Sequence, residues 1–192
     1  MVLSLVGLVV VAPVLAIAAV AVKCSSPGPV IFTQQRAGQA GKPFRIWKLR
    51  TMVDLRDDHG NLLPDEDRIA AVGRFLRTTS IDELPQLLNI LKGDMSFIGP
   101  RALPVAYLPR YTPEQMRRHD VPPGMGSYAD IVLNRSVPSW ETVFQCDVWY
   151  VDHWSIWLDA RLFLQIAYMV ITRKGAEQGA SGQMPEFRHT DT

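Results

Sequence analysis

Apolar and polar positions are distributed very unevenly along this chain. Residues 2–22 carry no charge at all. A run of that kind predicts an apolar helix about 31 Å long, at roughly 1.5 Å per residue, enough to cross a hydrocarbon core. Pro13 stands near its midpoint, where a missing backbone donor and a ring clash kink a helix. Ser26-Pro27-Gly28-Pro29 then predicts a turn. Val30-Ile31-Phe32 and Phe44-Arg45-Ile46-Trp47-Lys48-Leu49 read as short strands around a turn containing Gly38 and Gly41. Residues 54–67 are polar and predict a surface loop, and 69–77 a short helix. Leu84, Leu87, Leu88 and Leu91 recur at helical spacing, and Gly93 ends that helix. Six prolines between Pro104 and Pro138 break the middle of the chain into short pieces. Residues 158–171 predict a second apolar helix. Four of the five tryptophans, Trp140 to Trp157, lie just before or at its start. That cluster suits a membrane-interface anchor, and ordinary core packing is the alternative. Residues 175–192 are polar and Gly-rich and predict a loosely ordered tail.

A chain of 192 residues is long enough for one domain with its own core. The net charge of +1 gives no global field for nucleic acid. Cys24 and Cys146 form no disulfide framework, and the four histidines lack zinc-ligand spacing. Charge is concentrated locally. Lys23, Arg36, Lys42, Arg45, Lys48 and Arg50 precede the first acid, Asp54. Beside an apolar segment, such a stretch suits anionic head groups or a diphosphate and marks the cytoplasmic side. The apolar segment itself leaves its topology open. A cleaved leader is disfavoured because no basic residue precedes the run. A spanning helix and a re-entrant helix bent at Pro13 both remain.

Asp82 and Glu83 are the candidate reactive pair. Ser80-x-x-Glu83 has the pattern of a capping box, and Asp82 in a first helical turn suits the helix dipole. That local reading accounts for both acids. The chemical reading uses the same position: a carboxylate there can attack phosphorus and form an acyl phosphate. A second carboxylate can hold Mg²⁺ against a phosphate, and guanidiniums such as Arg74, Arg77 and Arg101 can clamp its oxygens.

Three ordered segments carry a resemblance. They are Phe44-Arg45-Ile46-Trp47-Lys48-Leu49-Arg50-Thr51-Met52, Gly73-Arg74-Phe75-Leu76-Arg77 continuing through Asp82-Glu83-Leu84-Pro85-Gln86, and Gly93-Asp94-Met95-Ser96-Phe97-Ile98-Gly99-Pro100-Arg101. Together they resemble the bacterial sugar transferase family, the small monotopic phosphoglycosyl transferases, from the apolar segment to about residue 174. The resemblance implies an α+β, mostly helical, monotopic membrane protein. Residues 1–23 would be a re-entrant helix bent at Ala12-Pro13. Residues 24–174 would be a small cytoplasmic catalytic domain with interfacial amphipathic helices, and 175–192 a polar tail. It implies transfer of a phosphosugar from a UDP-sugar to a polyprenol phosphate such as undecaprenyl phosphate. UMP would leave, and the route would pass through a phosphosugar on Asp82 with Mg²⁺ linked to Glu83. By motif match, Lys48, Arg50, Arg77, Arg101, Arg135 and Asp159 would serve the substrate. The implied partners are UDP-sugar, polyprenol phosphate and bacterial membrane lipids, without nucleic acid, and a homodimer is left open.

The chain departs from that pattern in places. Ala12-Pro13 replaces the family's Ser-Pro, and Ala102 follows Arg101 where the family has Pro. Pro123-Gly124-Met125-Gly126-Ser127-Tyr128-Ala129-Asp130-Ile131-Val132-Leu133-Asn134-Arg135 diverges most, with one residue inserted. This segment leaves the sugar unnamed and keeps a second reading alive, a non-catalytic membrane scaffold of the same fold.

Overall fold

The computed structural model describes residues 2–134, 139–172 and 186–187. It is mixed helix and sheet with helix dominant, as expected. The apolar run forms one helix, α1 (Val2–Ser25), assigned without interruption through Pro13. Ser4, Gly7, Leu8, Val11, Leu15, Ala18 and Val22 repeat at three- and four-residue spacing and form the face turned to the rest of the protein. Gly7 lets the helix approach Leu87. The opposite face, with Val2, Val9, Val10, Ile17 and Val20, is exposed and wholly apolar.

The two predicted strands pair antiparallel as β1 (Ile31–Ala37) and β2 (Pro43–Leu49), from Ile31 opposite Leu49 to Ala37 opposite Pro43. Ala40 and Gly41 take positive φ in the connecting turn. The polar stretch 54–67 is pinned rather than loose. Arg56 bridges Leu62, Met52 bridges Ile69, and α2 (Asp65–Arg68) closes it. The helix α3 (Ala71–Thr78) follows, then a 3-10 helix over Ile81–Gln86, then α4 (Leu87–Lys92), which Gly93 ends at φ 85°.

A two-stranded parallel pair, β3 (Ser96–Ile98) with β4 (Gly124–Gly126), joins the middle of the chain. The backbones cross so closely that a Cβ on Gly124 would lie 2.1 Å from the Gly99 nitrogen. Only glycine fits there. Short helices α5 (Pro113–Met116) and α6 (Tyr128–Val132) lead to α7 (Trp140–His153) and α8 (Ile156–Thr172).

The tryptophans divide by role. Trp140 packs on Tyr107 and Phe144 in the core, and Trp149 stacks on Tyr128. Trp154 and Trp157 are exposed beside Ile156, Leu164, Tyr168 and Ile171 of α8. The tail expectation needs one correction. Phe187 is buried among Tyr107, Tyr111, Trp140 and Phe144. Arg110 bonds both the Glu186 carboxylate and the Phe187 carbonyl.

Candidate active site

The carboxylate pair sits where α3 hands over to α4. Thr78 and Thr79 turn their hydroxyls back to the Phe75 carbonyl and so finish α3. Ser80 reverses the chain in the left-handed region at φ 57° and makes no side-chain cap. The capping box is therefore not formed. The Ser80 amide instead donates to the Arg77 carbonyl at 3.1 Å, and Glu83 pairs elsewhere: Lys48 Nζ lies 2.6 Å from its Oε1 and Arg101 3.4 Å from the same oxygen. Pro85 falls inside a 3-10 helix.

Asn89 sets the register of this arrangement. Its amide donates to the Arg45 carbonyl at 2.8 Å, and its oxygen accepts from the Trp47 amide at 3.2 Å. α4 is thereby stitched to β2 beside Lys48. Arg77 reaches back across the cleft floor to Thr51 Oγ1 at 3.0 Å. Gly73 permits that approach, because a Cβ there would lie 1.9 Å from the Thr51 carbonyl oxygen.

Asp82 is buried, at 7% exposure. Burial first, and the Glu83 charge second, push its carboxyl up to about 6, against the pull of Lys48, Arg77 and Arg101. Both acids line a cleft of about 1520 Å³ whose walls include Lys48, Arg77, Arg101 and Asp130, with Phe163 and Val170 of α8 on an apolar side.

Arg101 is held from behind. Its carbonyl accepts from Arg118 at 2.8 Å. Arg118 in turn donates to Asp147 through Nε at 3.0 Å and Nη2 at 2.7 Å, with both side chains fully buried. In front, Arg101 lies 3.9 Å from Asp130 Oδ1. Asp130 is fixed by a capping box with Ser127, its Oδ2 accepting from the Ser127 amide at 2.9 Å.

The other sequence-predicted residues fall in different places. Arg50 lines the cleft but turns its Nη donors to the turn after α1, reaching the carbonyls of Pro27 at 2.6 Å and Ser26 at 2.8 Å, and its Nε is buried without a partner. Asp159 is not among the cleft-lining residues. It accepts from the Tyr150 hydroxyl at 2.7 Å and the Trp154 indole at 3.3 Å, tying α7 to α8. Ala12 and Pro13 are exposed on α1. Arg135 lies outside the described residues.

Sequence reasoning missed Asn89, Arg118, Asp130 and Asp147, and marked Arg36 only as one charge of the basic stretch before Asp54. Only Asp130 carried a local signal, the Ser127-x-x-Asp130 capping pattern.

The described residues contain no cluster of three or more metal-ligating side chains. The Asp82–Glu83 pair nevertheless fits Mg²⁺, which is commonly held by one or two carboxylates with substrate phosphate completing its shell.

A model of the family described as bacterial sugar transferase matches residues 1–173. The chain belongs to that family. This sugar transferase chain is 52% identical over 162 residues to the uncharacterized sugar transferase EpsL of Bacillus subtilis, covering 84% of this chain and 79% of the relative. It is 39% identical over 184 residues to a UDP-glucose:undecaprenyl-phosphate glucose-1-phosphate transferase of Escherichia coli, covering 91% of this chain and 40% of that protein. A transferase of the same name from Caulobacter vibrioides is 41% identical over 174 residues, covering 86% of this chain and 65% of the relative. The sugar transferase chain thus spans less than two thirds of each of these two named transferases.

Proposed function

We propose that this chain transfers a phosphosugar from a UDP-sugar to a polyprenol phosphate, with undecaprenyl phosphate the expected acceptor, as the first membrane step of a glycan assembly. The observation that carries this reading is the buried Asp82 in the cleft, with Lys48 and Arg101 directed at its neighbour Glu83. The relatives named as UDP-sugar and undecaprenyl-phosphate transferases support the substrate classes.

An oxygen of Asp82 attacks the sugar-linked phosphorus, the bond to the UMP oxygen breaks, and UMP leaves. A phosphate oxygen of the polyprenol phosphate then attacks the same phosphorus, and the Asp82–phosphorus bond breaks. One phosphoanhydride replaces another, so positioning and charge neutralisation carry the rate. Lys48 and Arg101 balance the dyad and the incoming diphosphate, and Arg77 adds positive charge at the floor. Mg²⁺, when bound, would add charge neutralisation on the diphosphate, and Glu83 is the residue that would hold it.

The packing of α1 supports a monotopic placement, and the basic stretch after it suits the cytoplasmic face. Its contact stripe runs from Ser4 to Val22, on both sides of Pro13. A helix that left the domain to span the bilayer would touch it at one end only. In the re-entrant form a cysteine at position 3 and the native Cys24 label from the same side of a vesicle. Labelling from opposite sides would exclude it.

The test of the reaction is UMP release by protein in nanodiscs, given a panel of UDP-sugars, undecaprenyl phosphate and Mg²⁺, beside Asp82→Asn. Release with one sugar, lost in the variant, supports transfer and names the donor. No release across the panel from folded protein would favour the scaffold reading.

A further inference from the structure

The cations of the cleft differ in what balances them. Lys48 and Arg101 face Glu83, Arg56 faces Asp54, and Arg68 faces Asp65. Arg50 gives its Nη donors to the turn after α1 and, like Arg36, keeps a buried Nε without a partner, and Arg77 bonds Thr51. Arg36, near the end of β1, makes no ion pair among the described residues. Its Nη2 donates to Gln34 Oε1 at 2.6 Å and its Nη1 to the Ala102 carbonyl at 3.4 Å. Its Nε is buried with no hydrogen-bond partner. The backbone keeps it there, because Arg36 bridges Pro104 and the Ala37 amide donates to the Leu103 carbonyl at 2.9 Å. Burial, and the positive charge of Arg101 after it, pull the guanidinium down to about 10. Two like charges thus share one wall, and one keeps an unused donor. A buried charge without a counter-ion is costly, and a planar guanidinium matches phosphate oxygens in a forked geometry.

We infer that Arg36 and Arg101 together form a phosphoryl-oxygen subsite, in which Arg36 is a binding residue whose counter-anion arrives with the substrate. The ligand class is a phosphate or diphosphate ester. The inference rests on the reading of the cleft as a diphosphate-handling site, and adds to it the residue that receives an anion otherwise unmatched. The oxygens come either from the nucleotide donor or from the lipid phosphate.

The experiment compares wild type, Arg36→Gln and Arg36→Lys in nanodiscs. It reads ligand-free Tm, calorimetric affinity for UMP and inorganic pyrophosphate with Mg²⁺, and KM for UDP-sugar and undecaprenyl phosphate. Arg36→Gln is expected to keep or raise the ligand-free Tm while weakening pyrophosphate binding roughly 10- to 100-fold, the range for losing a charge-assisted contact. Arg36→Lys should recover part of that loss. Weakened UMP and pyrophosphate binding assigns the subsite to the donor. Unchanged binding of both with a raised KM for undecaprenyl phosphate assigns it to the lipid. Unchanged values throughout overturn the inference, as does a Tm drop in both variants whether affinity is kept or lost, since Arg36 would then be a strut of β1. Pyrophosphate binding needs no turnover. A wild type that binds it through Arg36 but releases no UMP would sink the transferase reading and leave the subsite standing.

Discussion

Two acid–arginine clusters meet at Arg101, and they resolve their charges in opposite ways. Behind it, Arg118 and Asp147 are both buried and satisfy each other through two hydrogen bonds, with a third from Arg118 to the Arg101 carbonyl. In front, Asp82 is nearly as buried, but Lys48 and Arg101 are turned to Glu83; burial raises both carboxyls, that of Asp82 to about 6, and of the two it is Asp147 that has an arginine hydrogen-bonded to it. The first cluster spends its charge on holding a loop in place. The second leaves charge over, and leftover charge in a cleft is what a phosphoryl donor can meet. Burial alone does not separate Asp147 from Asp82, the proposed reactive acid; the direction of the neighbouring cations does.

The largest expected effect comes from the front cluster. Asp82→Asn should lower UMP release by more than about 10³-fold, as loss of a covalent nucleophile does. Retained turnover would make Asp82 no more reactive than Asp147. Next is the rear cluster. Arg118→Met leaves Asp147 buried and unpaired, and should cost about 3–5 kcal/mol in denaturant unfolding. Pairing it with Asp147→Leu should recover most of that loss, and failure to recover would mean that the pair does more than cancel its own charge.

The pH dependence follows in size. Asp82 is raised in the folded state above its ordinary value near 3.8, so the folded protein holds this proton more tightly than the unfolded chain. Its contribution is neutral below about pH 4 and turns against stability as pH rises through about 6. Asp82→Asn should therefore raise stability by about 1–3 kcal/mol at pH 7.5, with the gain vanishing below pH 4. The same ionisation should make kcat/KM for the donor fall below about pH 6. An unchanged Tm at pH 7.5 would mean that the neighbouring cations offset the cost of burying the Asp82 charge. The smallest effect is at Asp130. Its ion pair with Arg101 is partly exposed, so Asp130→Asn should raise donor KM only a few-fold, within the range of about 1 kcal/mol for such pairs.

Local pattern carried much of the fold. The strand pair, the stop at Gly93, the apolar helix and α8 each follow from a few neighbouring residues, and the dyad was visible in its motif. What the sequence hid depends on contacts distant along the chain. Ser80-x-x-Glu83 matched a capping box, yet Ser80 is left-handed with its amide on the Arg77 carbonyl, and Glu83 pairs with Lys48, 35 residues away. Arg118 finds Asp147 at a separation of 29 residues, and Asn89 finds β2 at 42 and 44. No periodicity encodes such pairs. Asp159 shows the converse: its motif was legible, but its partners are Tyr150 and Trp154, not the cleft.

The inner stripe of α1 has a practical consequence. Gly7, Leu8 and Val11 press on the cluster that contains Leu87 and Ile46, directly beneath the elements carrying Asp82 and Lys48. α1 thus backs the elements that carry the dyad and Lys48, while none of its own residues is among those that line the cleft. On the proposed membrane placement, the amphiphile around the outer face of α1, whether detergent or bilayer, sets the lateral load on that backing. On that placement, rates measured in micelles and in membranes would be rates of two differently supported machines.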